Sequence, residues 1–257
     1  MSDQVASDQV AVDLSPANAV PTAANPYPVP VPDIQIYRAA FEVERFEMPY
    51  VCAELRRVAQ EGISKTTNRV IDSATSGKNV VMVTSCHRME GRTTCSLWLA
   101  SELAARGQAV VVVDANLENP NLATMVGISP QSGWNDEAVV PVTDFMIESL
   151  EDSFTIMPLA ADGPEQTDPA GSKLPSILES VRDGFDIVLV DAMPLEARGS
   201  VDLLKSIGPF VDSAILLHDH TGDASEDLSH LLGHLMSSGI DPLGLIYNNL
   251  PAQQKIA

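Results

Sequence analysis

From residue 77 onward, short apolar runs alternate with longer amphipathic stretches. The runs fall at residues 80–83, 110–113, 187–190, 214–217 and 245–247. Residues 93–106 between the first two runs have a helical pattern, as does a segment ending near Gly239. Strands apolar on both faces, each separated by a helix, form a parallel sheet covered on both sides. The predicted class is therefore α/β: a doubly wound, mostly parallel sheet with helices on both faces. Ahead of it, from residue 36 to 63, Val51, Leu55 and Val58 recur at helical spacing with Glu54, Arg56 and Arg57 between them. That spacing predicts a leading helix packed on the domain.

The start of the chain has a different pattern. A tandem pentapeptide, Ser2-Asp3-Gln4-Val5-Ala6 and Ser7-Asp8-Gln9-Val10-Ala11, precedes Pro16, Pro21, Pro26, Pro28, Pro30 and Pro32. Few large apolar groups are present to offset ordering entropy, so residues 1–35 are expected to be a disordered tether leaning to polyproline II. A docking peptide for an aromatic groove is the alternative. The expected division is 1–48, a Pro/Ala/Val-rich tether with a short helical end, and 49–257, the α/β domain.

Composition narrows the function classes. With 35 acids against 15 bases the formal charge is −20, which argues against nucleic acid and anionic lipid as partners because both need clustered Lys and Arg. Cys52, Cys86 and Cys95 form no C-x-x-C pair and fit free thiols in a reducing compartment, with the cytoplasm as the expected location. No basic leader precedes an apolar core, and no apolar run approaches the ~20 residues that span a bilayer. A membrane link is expected only through a partner, at the inner face.

Chemistry concentrates where the first run ends. The apolar strand 80–83 leads through Thr84-Ser85-Cys86-His87-Arg88-Met89-Glu90-Gly91-Arg92-Thr93-Thr94 into a helix carrying Leu97, Leu99 and Leu103. This strand-loop-helix setting is that of a P-loop: backbone N–H groups and a helix N-terminus for phosphates, a cation, and a hydroxyl for Mg²⁺. The strict Walker pattern G-x-x-x-x-G-K-[ST] fails twice, with Cys86 at the first Gly and Arg92 at the Lys. A planar guanidinium does not replace a compact ammonium, so turnover is expected to suffer more than binding. The plainer reading is a strand-to-helix turn with a surface Arg92 and an N-capping Thr93. Two further apolar runs end in an acid, Asp114 and Asp191, at the strand ends where open α/β sheets bind ligands. With the hydroxyl at the helix start they form a candidate metal-nucleotide constellation.

These residues resemble the bacterial tyrosine kinase (BY-kinase) domains that partner chain-length regulators in capsule and exopolysaccharide synthesis, within the ParA/MinD-type P-loop ATPases. The likeness covers about residues 79–251: Ser85 with Glu90-Gly91-Arg92-Thr93-Thr94, then Asp114-Ala115-Asn116-Leu117-Glu118-Asn119-Pro120, then Asp191-Ala192-Met193-Pro194. Residues 154–160 are similar to the family's strand before a proline-rich connection, and Gly244 to Asn249 to its last strand. The resemblance implies ATP and Mg²⁺ as cofactors. Ser85, Glu90, Gly91, Arg92, Thr93 and Thr94 would surround the phosphates and Asn248 would approach the base. It also implies Thr93, Asp114 and Asp191 as metal residues, and Arg92, Asp114 and Asp191 as catalytic ones, the acids holding the metal or activating an acceptor hydroxyl. A membrane-embedded chain-length protein and a homo-oligomer are the implied partners.

Departures from the family bear on activity. Asn116 replaces a second acid, Glu118 stands near an expected base, and Met89 and Arg88 replace Gly and Pro in the loop. Backbone conformations with positive φ become costlier there. The chain ends without the family's tyrosine cluster, and Tyr27, Tyr37 and Tyr50 precede the domain. The expectation is an ATP- and Mg²⁺-binding domain with weak or no tyrosine kinase turnover. The alternatives are a pseudo-enzyme that binds partners, or a ParA/MinD-like positioning ATPase.

Four histidines, His218, His220, His230 and His234, invite a metal reading, with His230 and His234 four apart. A solvated helix start over Asp219, Asp223, Glu226 and Asp227 is the expected account. Cys86 beside Arg88 and Arg92 suggests a thiol of lowered pKa, or simply a small turn residue. Trp98 is expected in the core, and Trp134 is either packed or an interface anchor.

Overall fold

The protein is described by a computed structural model over residues 38–130, 133–134, 141–159, 173–219 and 225–248. The expected tether at 1–35 and the proline-rich connection beyond Leu159 lie outside these residues, as does His220.

The chain opens with β1 (Phe41–Val43), α1 (Tyr50–Val58) and α2 (Gln60–Thr75). The P-loop unit follows as β2 (Val80–Ser85) and α3 (Arg92–Ala104), then β3 (Val110–Ala115) and the single turn α4 (Leu122–Met125). Next come β4 (Ile147–Ser149), β5 (Phe154–Met157), α5 (Leu174–Arg182), β6 (Ile187–Ala192) and α6 (Ser200–Ile207). The last elements are β7 (Ser213–Asp219), α7 (Ser225–Ser237) and β8 (Asp241–Asn248).

The strands form one eight-stranded sheet in the order β1-β4-β5-β3-β6-β2-β7-β8. Every pairing in it is parallel except β4 with β5. The four-valine run of β3 is buried along its whole length because both faces are covered. Val111 and Val113 pack with Val80, Met82, Val188 and Val190 under α5, α6 and α7. Val110 and Val112 turn the other way, to join Val81, Val83, Ile187 and Leu189 under α1, α2 and α3. Period-two alternation thus divides the core into two layers, and the α/β class follows from it. Helix α3 is buried nearly all round because α1 and α2 lie over its outer side.

The leading segment corrects the expectation of one helix from 36 to 63. Phe41, Glu42 and Val43 pair in parallel with Ile147, Glu148 and Ser149, adding a short edge strand where a helical end to the tether was expected. Helicity begins only at Tyr50, after Pro49, and Ala59 leaves the helical conformation between α1 and α2. A three-residue strand leaves too few positions for a period to be read from sequence.

The carboxyl ends of β2, β3, β6 and β7 converge on one rim. Crossover connections require the loops there to face the same side. Among the described residues no helix is long and apolar enough to cross a membrane.

Candidate functional site

The rim is organised by the turn from β2 into α3. Gly91 caps α3 with φ of 93°, a conformation strained for any side chain, and a Cβ there would press on Nδ2 of Asn248 at 3.1 Å. Met89 sits at φ of 60° with its side chain largely in solvent, a left-handed residue with no packing to offset the strain.

Arg92 occupies the first turn of α3 and is buried. Its Nη1 donates to Ser85 Oγ at 2.5 Å and to the His87 carbonyl at 2.8 Å, while Nε is buried with no hydrogen-bond partner. Burial pulls its pKa below the usual arginine value; Asp191 and Glu90 act in the opposite direction. The surface-arginine reading of the turn is therefore excluded. The guanidinium is drawn back into its own loop.

Two backbone N–H groups of the loop are taken by carboxylates. The N–H of His87 donates to Glu90 Oε2 at 2.9 Å, and that of Arg88 donates to Glu196 Oε1 at 2.7 Å. Leu195 and Glu196 donate their own N–H groups to the carbonyls of Ser85 and Cys86, at 2.9 and 3.1 Å, tying the loop to the segment after β6. Arg88 also pairs through its guanidinium with Glu118 and Glu196. The His87 ring lies between Glu196 at 3.0 Å and Asp227 at 3.1 Å, and the hydrogen bond with Glu196 is the main cause of its raised pKa.

Asp114 and Asp191 are opposite partners in the parallel register of β3 and β6. Asp114 accepts the N–H of Asn116 at 3.1 Å on Oδ1 and that of Leu122 at 3.2 Å on Oδ2. Asp191 accepts the Ser96 hydroxyl at 3.3 Å on Oδ1, and its Oδ2 is buried with no hydrogen-bond partner. Burial pushes Asp191 up to about 6, while the nearby Thr93 hydroxyl, the Arg92 charge and Ser96 pull it back. Burial, and then the Asp191 charge, raise Asp114 well above the carboxylate range. Thr93 Oγ1 lies 3.3 Å from Asn121 Oδ1. An unpaired carboxylate oxygen, a hydroxyl and a second carboxylate suit a hard divalent cation, which would remove the cost of burying two like charges.

Asn248 at the end of β8 donates Nδ2 to the Glu90 carbonyl at 3.1 Å, which places it against the loop. Glu90 is buried, with Oε1 3.3 Å from Nδ1 of the buried His218. Thr94 is half-buried, and its carbonyl faces Cys52 of α1 at 3.9 Å.

Two alternatives are settled by burial. Cys86 has its thiol pushed up to about 11 by burial, then by Glu90, so it is no activated nucleophile. Trp134 is 1% exposed and donates its indole N–H to the Asp114 carbonyl at 2.8 Å, which makes it a packed residue rather than an interface anchor. Of the four histidines, His230 and His234 lie on α7 and His218 on β7. Asp227 lies exposed in the first turn of α7, as expected, and in addition reaches His87. Glu196 was missed outright; its signal, an acid two residues beyond the proline of Asp191-x-x-Pro194, has meaning only once the loops are neighbours.

The family model described as ParA, NUBPL iron-transfer P-loop NTPase, matches residues 76–208. A Klebsiella pneumoniae putative tyrosine-protein kinase in the cps region is 22% identical over 175 residues, 67% of this chain and 24% of that protein. Among solved structures, the VpsO kinase domain is similar with a TM-score of 0.61 at 24% identity, covering 79% of this chain and 100% of that one. The septum site-determining protein MinD of Pyrococcus horikoshii, complexed with Mg-ADP, has a TM-score of 0.56 at 22% identity, covering 69% and 75%. The chain spans 64% and 49% of two further relatives from Synechocystis, a MinD and an iron-sulfur cluster carrier protein. At these identities the structural likeness establishes the fold.

Proposed function

This chain belongs to the ParA family of P-loop NTPases, and from that premise we propose that its rim binds a magnesium nucleotide, ATP in the first instance, with weak or no phosphoryl transfer. The observation that carries the reading is the unpaired, buried Oδ2 of Asp191 opposite Asp114 and beside Thr93. A buried carboxylate oxygen without a donor costs several kcal/mol unless a cation or proton meets it. Thr93 and Asp191 would hold the metal directly. Asp114, whose oxygens already accept backbone N–H groups, would hold its water. The cation would supply charge neutralisation for the phosphates. Ser85, Glu90, Gly91, Arg92 and Thr94 form or flank the loop that would receive them, and Asn248 stands at its far end.

Weak turnover follows from Arg92. A cation aimed at the transferred phosphoryl group is worth about 10³-fold or more in rate, and here the guanidinium is committed to Ser85 and the His87 carbonyl. The kinase-like and MinD-like relatives support two uses for such a domain. We favour regulation of a membrane-embedded polysaccharide chain-length partner, in a homo-oligomer recruited to the inner membrane face. The surface has no basic excess to suit direct DNA or lipid binding. The second reading is a partner-binding pseudo-enzyme, favoured by the loop N–H groups that carboxylates already occupy.

Titration of the full chain with a fluorescent ATP analogue, with and without Mg²⁺, tests the proposal beside an Arg92→Ala variant. Metal-dependent binding weakened in the variant is the expected result. No binding at millimolar nucleotide would sink it and leave the pseudo-enzyme.

A further inference from the structure

Phosphate loops bind through backbone N–H groups, and such nests take any anion that fits. In this loop one such anion belongs to the protein. Glu196 lies outside the loop, in the segment between β6 and α6. Its Oε1 accepts the Arg88 backbone N–H at 2.7 Å and Arg88 Nη1 at 3.0 Å, and its Oε2 lies 3.0 Å from His87 Nδ1. One carboxylate thus uses a loop N–H, the Arg88 guanidinium and the His87 ring, as a phosphate oxygen group would. Burial pulls its pKa up, yet the Arg88 N–H and the His87 and Arg88 side chains outweigh burial and hold it below the usual glutamate value.

Glu90 differs in kind. It belongs to the loop, is 3% exposed and takes the neighbouring His87 N–H, so it shapes the turn. Glu196 is about one third exposed, and its side chain can change rotamer while the backbone of its segment stays tied to the loop. Among the described residues Glu118 meets the Arg88 guanidinium alone and no loop N–H.

We propose that Glu196 is an internal competitor for the phosphate loop: its carboxylate caps the Arg88 N–H, the Arg88 guanidinium and the His87 ring, and a di- or triphosphate ligand enters by displacing it. The identity of the ligand rests on the nucleotide reading above, whereas the capping contact does not. Displacement removes an anion from the rim as a more highly charged one arrives, so the Arg88 guanidinium keeps an anionic partner throughout. The unloaded loop is held shut by the same charges that would hold phosphate.

The test uses the full-length wild type, Glu196→Ala and Glu118→Ala, the last removing an acid that touches no loop N–H. Amide hydrogen exchange without ligand reads the capping contact. Faster exchange at Arg88 in Glu196→Ala, with little change in Glu118→Ala, is expected; unchanged exchange in Glu196→Ala overturns the proposal. Titration with the fluorescent ATP analogue and Mg²⁺ reads competition. Glu196→Ala is expected to bind about tenfold more tightly, equivalent to about 1.4 kcal/mol, and Glu118→Ala less so. Equal tightening in both variants would mean that rim charge alone is responsible and would overturn the competition, as would no tightening in Glu196→Ala. If no protein binds nucleotide, the function proposed above fails, and exchange at Arg88 alone decides whether Glu196 caps the loop.

Discussion

Arg88 of the phosphate loop and Glu118 of the loop after β3 form a two-pronged ion pair across the mouth of the candidate site, with Nε 3.0 Å from Oε2 and Nη2 also in contact with the carboxylate. Both residues depart from the pattern this chain resembles, which has a proline near the first position and a base near the second. The two departures compensate each other: a base gained in one loop faces an acid gained in the other. Neither is interpretable alone.

The side chains of this pair are 51% and 35% exposed, so solvent screening limits its worth. A double-mutant cycle with Arg88→Ala and Glu118→Ala, read by chemical denaturation, is expected to give a coupling of about 0.2–1 kcal/mol. A coupling of several kcal/mol would mean that the pair acts as a buried one.

Asp191 should limit stability at neutral pH. Its folded pKa lies near 6, above the unfolded value of 3.8, so the stability it contributes is full below 3.8 and is lost as pH rises through about 6. Asp191→Asn removes the buried charge, and its melting temperature is expected to exceed that of wild type by several degrees above pH 7, the gap closing towards acid. Mg²⁺ should raise the wild-type melting temperature and leave the variant nearly unchanged. A variant less stable than wild type at every pH would refute this account.

Much of this was legible from the chain. Runs of valine and isoleucine separated by helices marked the parallel sheet, and Asp114 and Asp191 stood out because each ends such a run; β3 and β6 set them side by side. What remained hidden depends on contacts between distant segments. β1 is three residues long, too short for a period, and acquires its identity from β4. Glu196 and Asp227 are surface acids far apart in the chain, and their shared contact with His87 exists only once the loop lies between them. The burial of Arg92 cannot be read from a position where a lysine would ordinarily face ligand.

Met89 holds a left-handed backbone with its side chain 70% exposed. Met89→Gly sacrifices almost no packing and relieves strain of about 1 kcal/mol, offset in part by the looser unfolded chain. A gain of up to about 1 kcal/mol is expected by denaturation, whereas Met89→Val, β-branched at the same φ, should lose at least as much. Equal stability of the two variants would show that the turn relaxes freely.

Trp134 links the far side of β3 to the site, since its indole N–H reaches the carbonyl of Asp114 itself. Trp134→Phe keeps most of the apolar volume and leaves that buried carbonyl without its donor. A loss of about 1–3 kcal/mol is expected, with faster amide exchange at Asn116, whose N–H is held by the Asp114 side chain.

His87 makes the loop sensitive to pH. The groups facing it are Glu196, Asp227 and Glu90, with Arg88 adjacent. Its pKa is raised above 6.5, chiefly by hydrogen bonding to Glu196, so its contribution is complete below 6.5 and is lost as pH climbs through the higher folded value. Glu196 runs the other way: its pKa is lowered from 4.5, and its contribution is present above 4.5 and is lost as pH falls through the folded value. The tie between loop, β6 segment and α7 is therefore complete between about 4.5 and 6.5 and weakens above it. Amide exchange at His87 and Arg88, corrected for intrinsic base catalysis, should rise on passing from that window to mildly alkaline pH in wild type. In His87→Gln the same step should be absent. A step of equal size in both proteins would assign the pH response to another group.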